Sequence, residues 1–368
     1  MAHLKDIAEA AGVSIRTVSR ALKDSGYVAA EKRDRIRKIA KKLGYRPNRI
    51  AQGLRTRRSY QVSLLAWGMN EQEVARTVTF QRVLQNAGYL VDTVFASEPD
   101  GRKVADGLLE EMIGWQPAGV GVLPHGLVDL APIAHKLRER EVPYVVVGGA
   151  QQPADIVYFD RSQGTHDAVR YLWEQGRRRI AYLGTNTHSP RAEGYRRAIE
   201  ALGQEPIWLR VRRAEPRQLE RAAKAAEERL TGRAAQMVAD TATVQQFAYN
   251  RAVMVEASRV AREAAPRFAE LRPRPDAVQC FSDVYASGFL AGLLDLGIAV
   301  PDEVAVVGFD NRLAASLCYP ALTSVVPPNL QVGVGAAEVL LKKIAGDPPP
   351  AGGWSRTLKC GLVVRQSA

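Results

Sequence analysis

Arg16 and Arg20 stand four residues apart, with Ile15 and Thr17 beside them. On a helix that spacing turns these residues away from the face carrying Val18, Ala21 and Leu22. A guanidinium can donate to the O6 and N7 acceptors of one guanine at once, so the chemistry such a face offers is recognition of base edges in a major groove. Ser14, just ahead, carries a side-chain oxygen suited to capping the helix start.

These side chains need a rigid mount, and the surrounding pattern supplies one. Leu4, Ile7, Ala8 and Ala11 recur at helical spacing, Gly12 interrupts them, and a second helix is expected from about Ile15 to Leu22. A third is expected from about Glu31 to Leu43, with Ile36, Ile39, Ala40 and Leu43 buried and Lys32, Arg33, Arg37, Lys38, Lys41 and Lys42 around the rest. Pro47 stops the helical pattern and Asn48 is suited to cap a short further helix that ends in Arg55, Arg57 and Arg58. Gly53 lowers the helix propensity there by about 1 kcal/mol relative to alanine, so residues 48–59 read as a linker that folds when DNA is present.

Charge follows the same division. The chain of 368 residues has a net charge of +12, yet residues 1–58 hold 16 Lys/Arg against 5 Asp/Glu, leaving 35 against 34 for the remainder. A small basic segment beside a near-neutral body is the electrostatic footprint of a polyanion-binding module, because cations set against phosphates release condensed counterions.

The run Leu4-Lys5-Asp6-Ile7-Ala8-Glu9-Ala10-Ala11-Gly12-Val13-Ser14, then Thr17-Val18-Ser19-Arg20 and Leu43-Gly44-Tyr45-Arg46-Pro47-Asn48, closely resembles the headpiece of the LacI/GalR repressor family. The resemblance implies that Ile15, Arg16 and Arg20 read bases and that Leu54 is the leucine that paired hinge helices wedge into a minor-groove step. The candidate DNA-contacting set is therefore Ser14, Ile15, Arg16, Thr17 and Arg20 in the headpiece, with Asn48, Arg49, Leu54 and Arg55 in the hinge. In one departure, Ala29-Ala30 replaces the usual Ser or Thr before the third helix, at a cost of about 1 kcal/mol of local stability.

From Tyr60 onward, short apolar runs alternate with amphipathic stretches. Val62–Trp67, Tyr89–Phe95, Ala118–Leu123, Tyr144–Gly148 and Ile156–Phe159 form one series of expected strands; Ile180–Gly184, Ile207–Val211, Ala277–Phe281 and Val304–Phe309 form a second. Two α/β lobes with parallel sheets fit this count better than one large sheet. The resemblance extends here to a periplasmic-binding-protein-like effector domain of type I. It is carried by Arg191-Ala192-Glu193-Gly194-Tyr195, Phe281-Ser282-Asp283 and Val306-Val307-Gly308-Phe309-Asp310, followed by Leu322-Thr323-Ser324-Val325.

By the same resemblance, Arg191, Ser282 and Asp310 line an effector cleft, where an arginine and a carboxylate can bind the hydroxyls of a sugar-like ligand. The alternative for Arg191 and Asp310 is an interlobe ion pair or surface charges. The expected order is a headpiece over 1–47, a hinge over 48–59 and a two-lobed effector and dimerisation domain over 60–368. Lobe 1 takes about 60–176 and 327–349 and lobe 2 about 177–326 and 350–368, with crossings near Gly176, near Val326 and beyond Pro348. Gly68-Met69-Asn70-Glu71-Gln72-Glu73 departs from the family's polar and aromatic segment after the first strand, and Ser282 shortens a hydrogen-bonding arm usually supplied by Asn. Residues 215–271 read as a helical insertion, open to three roles: enlarging a dimer interface, capping the cleft or binding another partner.

The remaining features narrow the function class. The composition, 46% hydrophobic and 24% charged, is that of a soluble globular protein, and no apolar run is long enough to span a bilayer. Residues 1–25 lack the pattern of an export signal, so a cytoplasmic, nucleoid-associated protein is expected. Cys280, Cys318 and Cys360 fit neither a disulfide framework nor a zinc spacing, and no metal or cofactor is expected. There is no phosphate-binding loop ending in Lys-Ser/Thr and no Gly-x-Ser-x-Gly elbow, and the 5 His are isolated, so an enzyme is not expected. The expected protein is a repressor that binds a pseudopalindromic double-stranded DNA operator as a homodimer or higher oligomer under a small-molecule effector. The alternative is an architectural DNA binder without an effector.

Overall fold

The computed structural model describes the chain apart from residues 1, 24–26, 46–58, 69, 97–105, 125–128, 150–154, 213–216, 218, 222 and 225–240. It divides into two units, Met1–Tyr60 and Gln61–Ala368. The hinge residues Asn48, Arg49, Leu54 and Arg55 lie outside the described residues.

In the first unit, helices α1 (Leu4–Ala11), α2 (Ile15–Lys23) and α3 (Ala30–Lys42) close on a core in which Ile7, Val18, Ala21 and Ile36 are fully buried. Gly12 ends α1 at φ 64°, a left-handed conformation that a Cβ disfavours. The N–H groups of Val13 and Gly12 bond back to the Ala8 and Glu9 carbonyls at 3.0 and 3.2 Å, a Schellman closure. Ser14 then caps α2, its Oγ accepting from the Thr17 N–H at 3.2 Å. Ala29 starts α3 with no side-chain cap, in line with the Ala29-Ala30 departure. Leu43, expected in the core, is 40% exposed, because α3 ends at Lys42 and the chain turns there; Tyr45 packs against the core in its stead.

The second unit is two doubly wound sheets of six strands, ordered β11-β5-β4-β3-β1-β2 and β12-β10-β9-β8-β6-β7. The first holds β1 (Gln61–Ala66), β2 (Leu90–Phe95), β3 (Gly119–Leu123), β4 (Tyr144–Val147), β5 (Ile156–Phe159) and β11 (Arg356–Leu358). The second holds β6 (Ile180–Gly184), β7 (Ile207–Arg210), β8 (Ala277–Cys280), β9 (Ala305–Phe309), β10 (Thr323–Val326) and β12 (Gly361–Val363). Every pairing is parallel except β10 with β12. Strands buried on both faces, such as β3, β4, β6 and β9, explain the continuous apolar runs in the sequence.

Among the described residues the chain crosses between sheets three times, and one crossing and one lobe boundary differ from expectation. The first lies at Asp160, not near Gly176: the helix Arg161–Glu174 packs on the second lobe, with Gly164 against Val325 and Cys360, and Gly194 seated on the Ser162 backbone. The second joins β10 to the helix Asn329–Ala345. The third falls between β11 and β12, so Arg356–Leu358 returns to the first lobe in parallel register with Val157–Phe159. Sequence pattern placed the crossing after the amphipathic helix, whereas its docking partner decides its lobe. Within the expected insertion, the helix Thr241–Arg262 docks on Asp283–Asp295, whose Gly288 would collide with the Ser258 carbonyl if it carried a Cβ. This helix is therefore part of the second lobe's packing.

Candidate functional site

On the first unit, Ile15, Arg16 and Arg20 of α2 are exposed and Thr17 is half-buried, while Val18 and Ala21 face inward. Ser14 and Thr17 share a hydroxyl hydrogen bond of 2.9 Å. Each has a structural task at the helix start, and the two arginines remain the long donors of the surface.

In the second unit, the strand order reverses between β1 and β3 in one sheet and between β6 and β8 in the other. The crevice beyond strand carboxyl ends at such a reversal is where α/β sheets bind ligands. Arg191 follows β6, on a helix (Pro190–Ala201) capped by Ser189, whose Oγ accepts from the Ala192 N–H at 3.2 Å. Its Nη1 donates to the Phe281 carbonyl at 2.6 Å and its Nη2 to Asp310 Oδ1 at 2.8 Å. The guanidinium lies over the rings of Phe309 and Phe281, 4.0 and 4.7 Å from their centroids. Asp310 is 7% exposed at φ 109°, a left-handed conformation that costs a non-glycine residue roughly 1–3 kcal/mol and that clusters at functional sites.

Asp310 is also the point where the lobes meet. Its carbonyl accepts from Gln72 Nε2 at 3.0 Å, and the Leu313 N–H donates to Glu71 Oε1 at 2.9 Å. Both first-lobe residues come from the segment that departs from the family pattern. Asn70 caps the helix Glu71–Asn86, accepting from the Gln72 and Glu73 N–H groups at 3.0 and 3.2 Å, while Glu73 accepts from the Asn70 N–H at 2.8 Å. That capping box aims Glu71 and Gln72 at the second lobe. The S/T/D/N-x-x-E pattern at Asn70 was a readable signal for the helix start; the contacts across the cleft were not.

Ser282, 7% exposed, precedes the helix Asp283–Asp295, and its side chain does not cap that helix. Arg191 and Asp310 are thus brought into direct contact, and Ser282 stands beside Phe281, the carbonyl partner of Arg191. Sequence reasoning passed over Asp283, which is 1% exposed and accepts from Ser324 Oγ and the Arg312 N–H at 2.6 Å each. Burial pushes its carboxyl up to about 7, against the opposing pull of those two bonds. It also passed over Arg76 and Arg161. Arg76, 4% exposed, donates Nε to Asn329 Oδ1 at 2.7 Å, joining the first lobe to the start of the helix after the second crossing. Arg161 opens the helix after the first crossing and donates to the Gly149 carbonyl; burial, with Arg191 and Arg76 nearby, lowers its pKa to about 9.

A helix-turn-helix unit followed by a two-lobed α/β body with three crossings defines a class of ligand-responsive DNA-binding proteins. Residues 3–48 match the lacI family of bacterial regulatory proteins, and residues 169–368 match the periplasmic binding protein-like domain. The chain is 26% identical to the HTH-type transcriptional repressor CytR of Escherichia coli (strain K12), over 100% of this chain and 96% of that one. It is 25% identical to catabolite control protein A of Priestia megaterium, over 92% and 91%. The structure of the lac repressor dimer bound to operator and the anti-inducer ONPF is similar in fold, with a TM-score of 0.67 at 20% identity, over 100% of this chain and 98% of that one. The chain belongs to the lacI family and is a DNA-binding transcriptional regulator. No helix among the described residues is long and apolar enough to cross a membrane.

Proposed function

We propose that this regulator is a repressor that binds a pseudopalindromic operator as a homodimer, and that a small molecule held between the lobes sets its operator affinity. The observation that carries the reading is Asp310, which at one position pairs with Arg191 of its own lobe and accepts from Gln72 of the other. A ligand that competes for Arg191 and Asp310 alters the contacts that close the lobes, and a ligand with different affinity for the two lobe arrangements shifts their populations.

In this reading Arg16, Arg20 and Ile15 contact base edges, Ser14 and Thr17 meet the backbone, and Asn48, Arg49, Leu54 and Arg55 form the hinge contacts. Arg191, Ser282 and Asp310 hold the effector, which is bound and released without turnover. Two exposed apolar groups support self-association: Val74 and Val78 on the helix Glu71–Asn86, and Leu313, Leu317 and Tyr319 on the second lobe, the last 80% exposed. One headpiece buries too little surface for useful specificity, and two half-sites multiply it. The protein acts in the cytoplasm, at the nucleoid.

Selection of bound sequences from random duplex DNA, repeated with pools of metabolites, tests the reading. A twofold-symmetric consensus whose occupancy changes with a metabolite is the expected result. Binding indifferent to duplex sequence, unchanged by every pool, would sink it.

A further inference from the structure

The interlobe cleft carries more positive charge than its carboxylates offset. Arg76, Arg161 and Arg191 arrive from three separate helices and lie near enough to act on one another electrostatically. Asp310 pairs with Arg191, lies 3.9 Å from Arg312, and acts on Arg76 and Arg161 only from beyond ion-pair distance. Arg76 and Arg161 bond instead to neutral acceptors, the Asn329 side-chain carbonyl and the Gly149 carbonyl, and share the ring of Phe159, 5.5 and 4.2 Å from its centroid. Among the described residues neither reaches a carboxylate within ion-pair distance. Glu73 acts on Arg76 only from farther off, and its Oε2 is engaged by the Asn70 N–H. Asp283 holds its proton more readily than an ordinary carboxyl and faces Arg312 and Ser324.

Enclosing like charges without counterions is unfavourable. A neutral sugar closing over this cleft would leave the charges of Arg76 and Arg161 unmet. A phosphate or carboxylate would meet both with charge-assisted bonds, for which the planar fork of arginine is well shaped. Gly148, at φ 82° after β4, lets the Arg76 guanidinium lie against the backbone there, because an added Cβ would lie 2.6 Å from Arg76 Nη1.

We propose that the effector is an anion, a small metabolite bearing a phosphate or carboxylate group that Arg76 and Arg161 hold, with its hydroxyls directed to Arg191 and Asp310. This rests on the effector-binding reading above and narrows it to a ligand class.

The test uses the full chain and paired probes at constant ionic strength: glucose with glucose 6-phosphate and gluconate, ribose with ribose 5-phosphate, adenosine with its monophosphate, and inorganic phosphate alone. Melting temperature and operator affinity are read for wild type, Arg161→Gln and Arg161→Lys. The expected result is a melting shift and an altered operator affinity from anionic members only. Apparent affinity should be at least about thirtyfold weaker in Arg161→Gln and less weakened in Arg161→Lys, which keeps the charge but not the planar fork, and ligand-free Arg161→Gln should melt no lower than wild type because one of three like charges is gone. Equal responses to the neutral partners, or an unaltered response in Arg161→Gln, overturn the anion and leave the effector reading standing. A lower ligand-free melting temperature in Arg161→Gln that Arg161→Lys does not restore assigns Arg161 to packing and overturns the proposal. Silence from every probe, with operator binding intact, overturns both readings together.

Discussion

Arg16 and Arg20 on the headpiece and Arg191, Arg161 and Arg76 in the cleft are the same residue put to opposite uses. The first pair is exposed on a helix face and keeps its water, whereas Arg76 is 4% exposed and Arg191 is enclosed between two phenylalanine rings and a carboxylate. A hydrated cation attracts a polyanion from a distance and gives up little until contact, so its contribution falls steeply with salt. A desolvated cation has already lost its water and demands a matched partner, so its contribution is short-ranged, geometric and poorly screened. In the proposed reading, one set recruits DNA and the other discriminates among small molecules.

The sharpest way to break this contrast is Arg191→Ala. It leaves the Asp310 carboxylate with only the more distant Arg312, at 3.9 Å, and empties the space between Phe281 and Phe309, at an expected cost of about 3 kcal/mol. A second-unit melting temperature close to that of wild type would show the pair to be dispensable. Next comes Asp283. Burial raises its folded pKa to about 7, so its contribution to stability is full below the ordinary carboxylate range and declines as pH rises through about 7. Asp283→Asn should remove that decline, on the order of a few kcal/mol between pH 4 and 8; parallel melting curves against pH for variant and wild type would refute the assignment.

The exposed set predicts smaller effects with no thermal signature. Arg16→Ala should cost about 1–3 kcal/mol of discrimination between operator sequences while the melting temperature stays put, and unchanged base preference in a binding selection would remove Arg16 from the reading face. The smallest expected change sharpens the comparison from the stability side: Ala29→Ser supplies the missing cap of α3, worth about 1 kcal/mol to the headpiece, readable as a slower amide exchange in residues 30–42 and no change in the effector unit.

Legibility in the sequence divided along the same line. The headpiece was readable almost to the residue, because its stops and starts at Gly12, Ser14 and Ala29 are local backbone chemistry. Leu43 escaped, since the periodic pattern runs one residue past the point where α3 ends and Tyr45 folds back onto the core. In the body the strands of both series were legible from apolar runs, and Arg191 and Asp310 from motif segments. Arg76 and Arg161 were not, because each is one arginine among 51 Lys/Arg and lies in no motif.

Local order, then, was written along the chain: the helices, their caps, the strands and the concentration of charge at the front each depend on residues within a few positions of one another. The crossing at Asp160, the return of Arg356–Leu358 to the first sheet, the reach of Gln72 to Asp310 and the meeting of three arginines depend on segments up to hundreds of residues apart. Those were decided only when helices docked and sheets closed, since burial, and with it the difference between a hydrated guanidinium and a desolvated one, exists only in three dimensions.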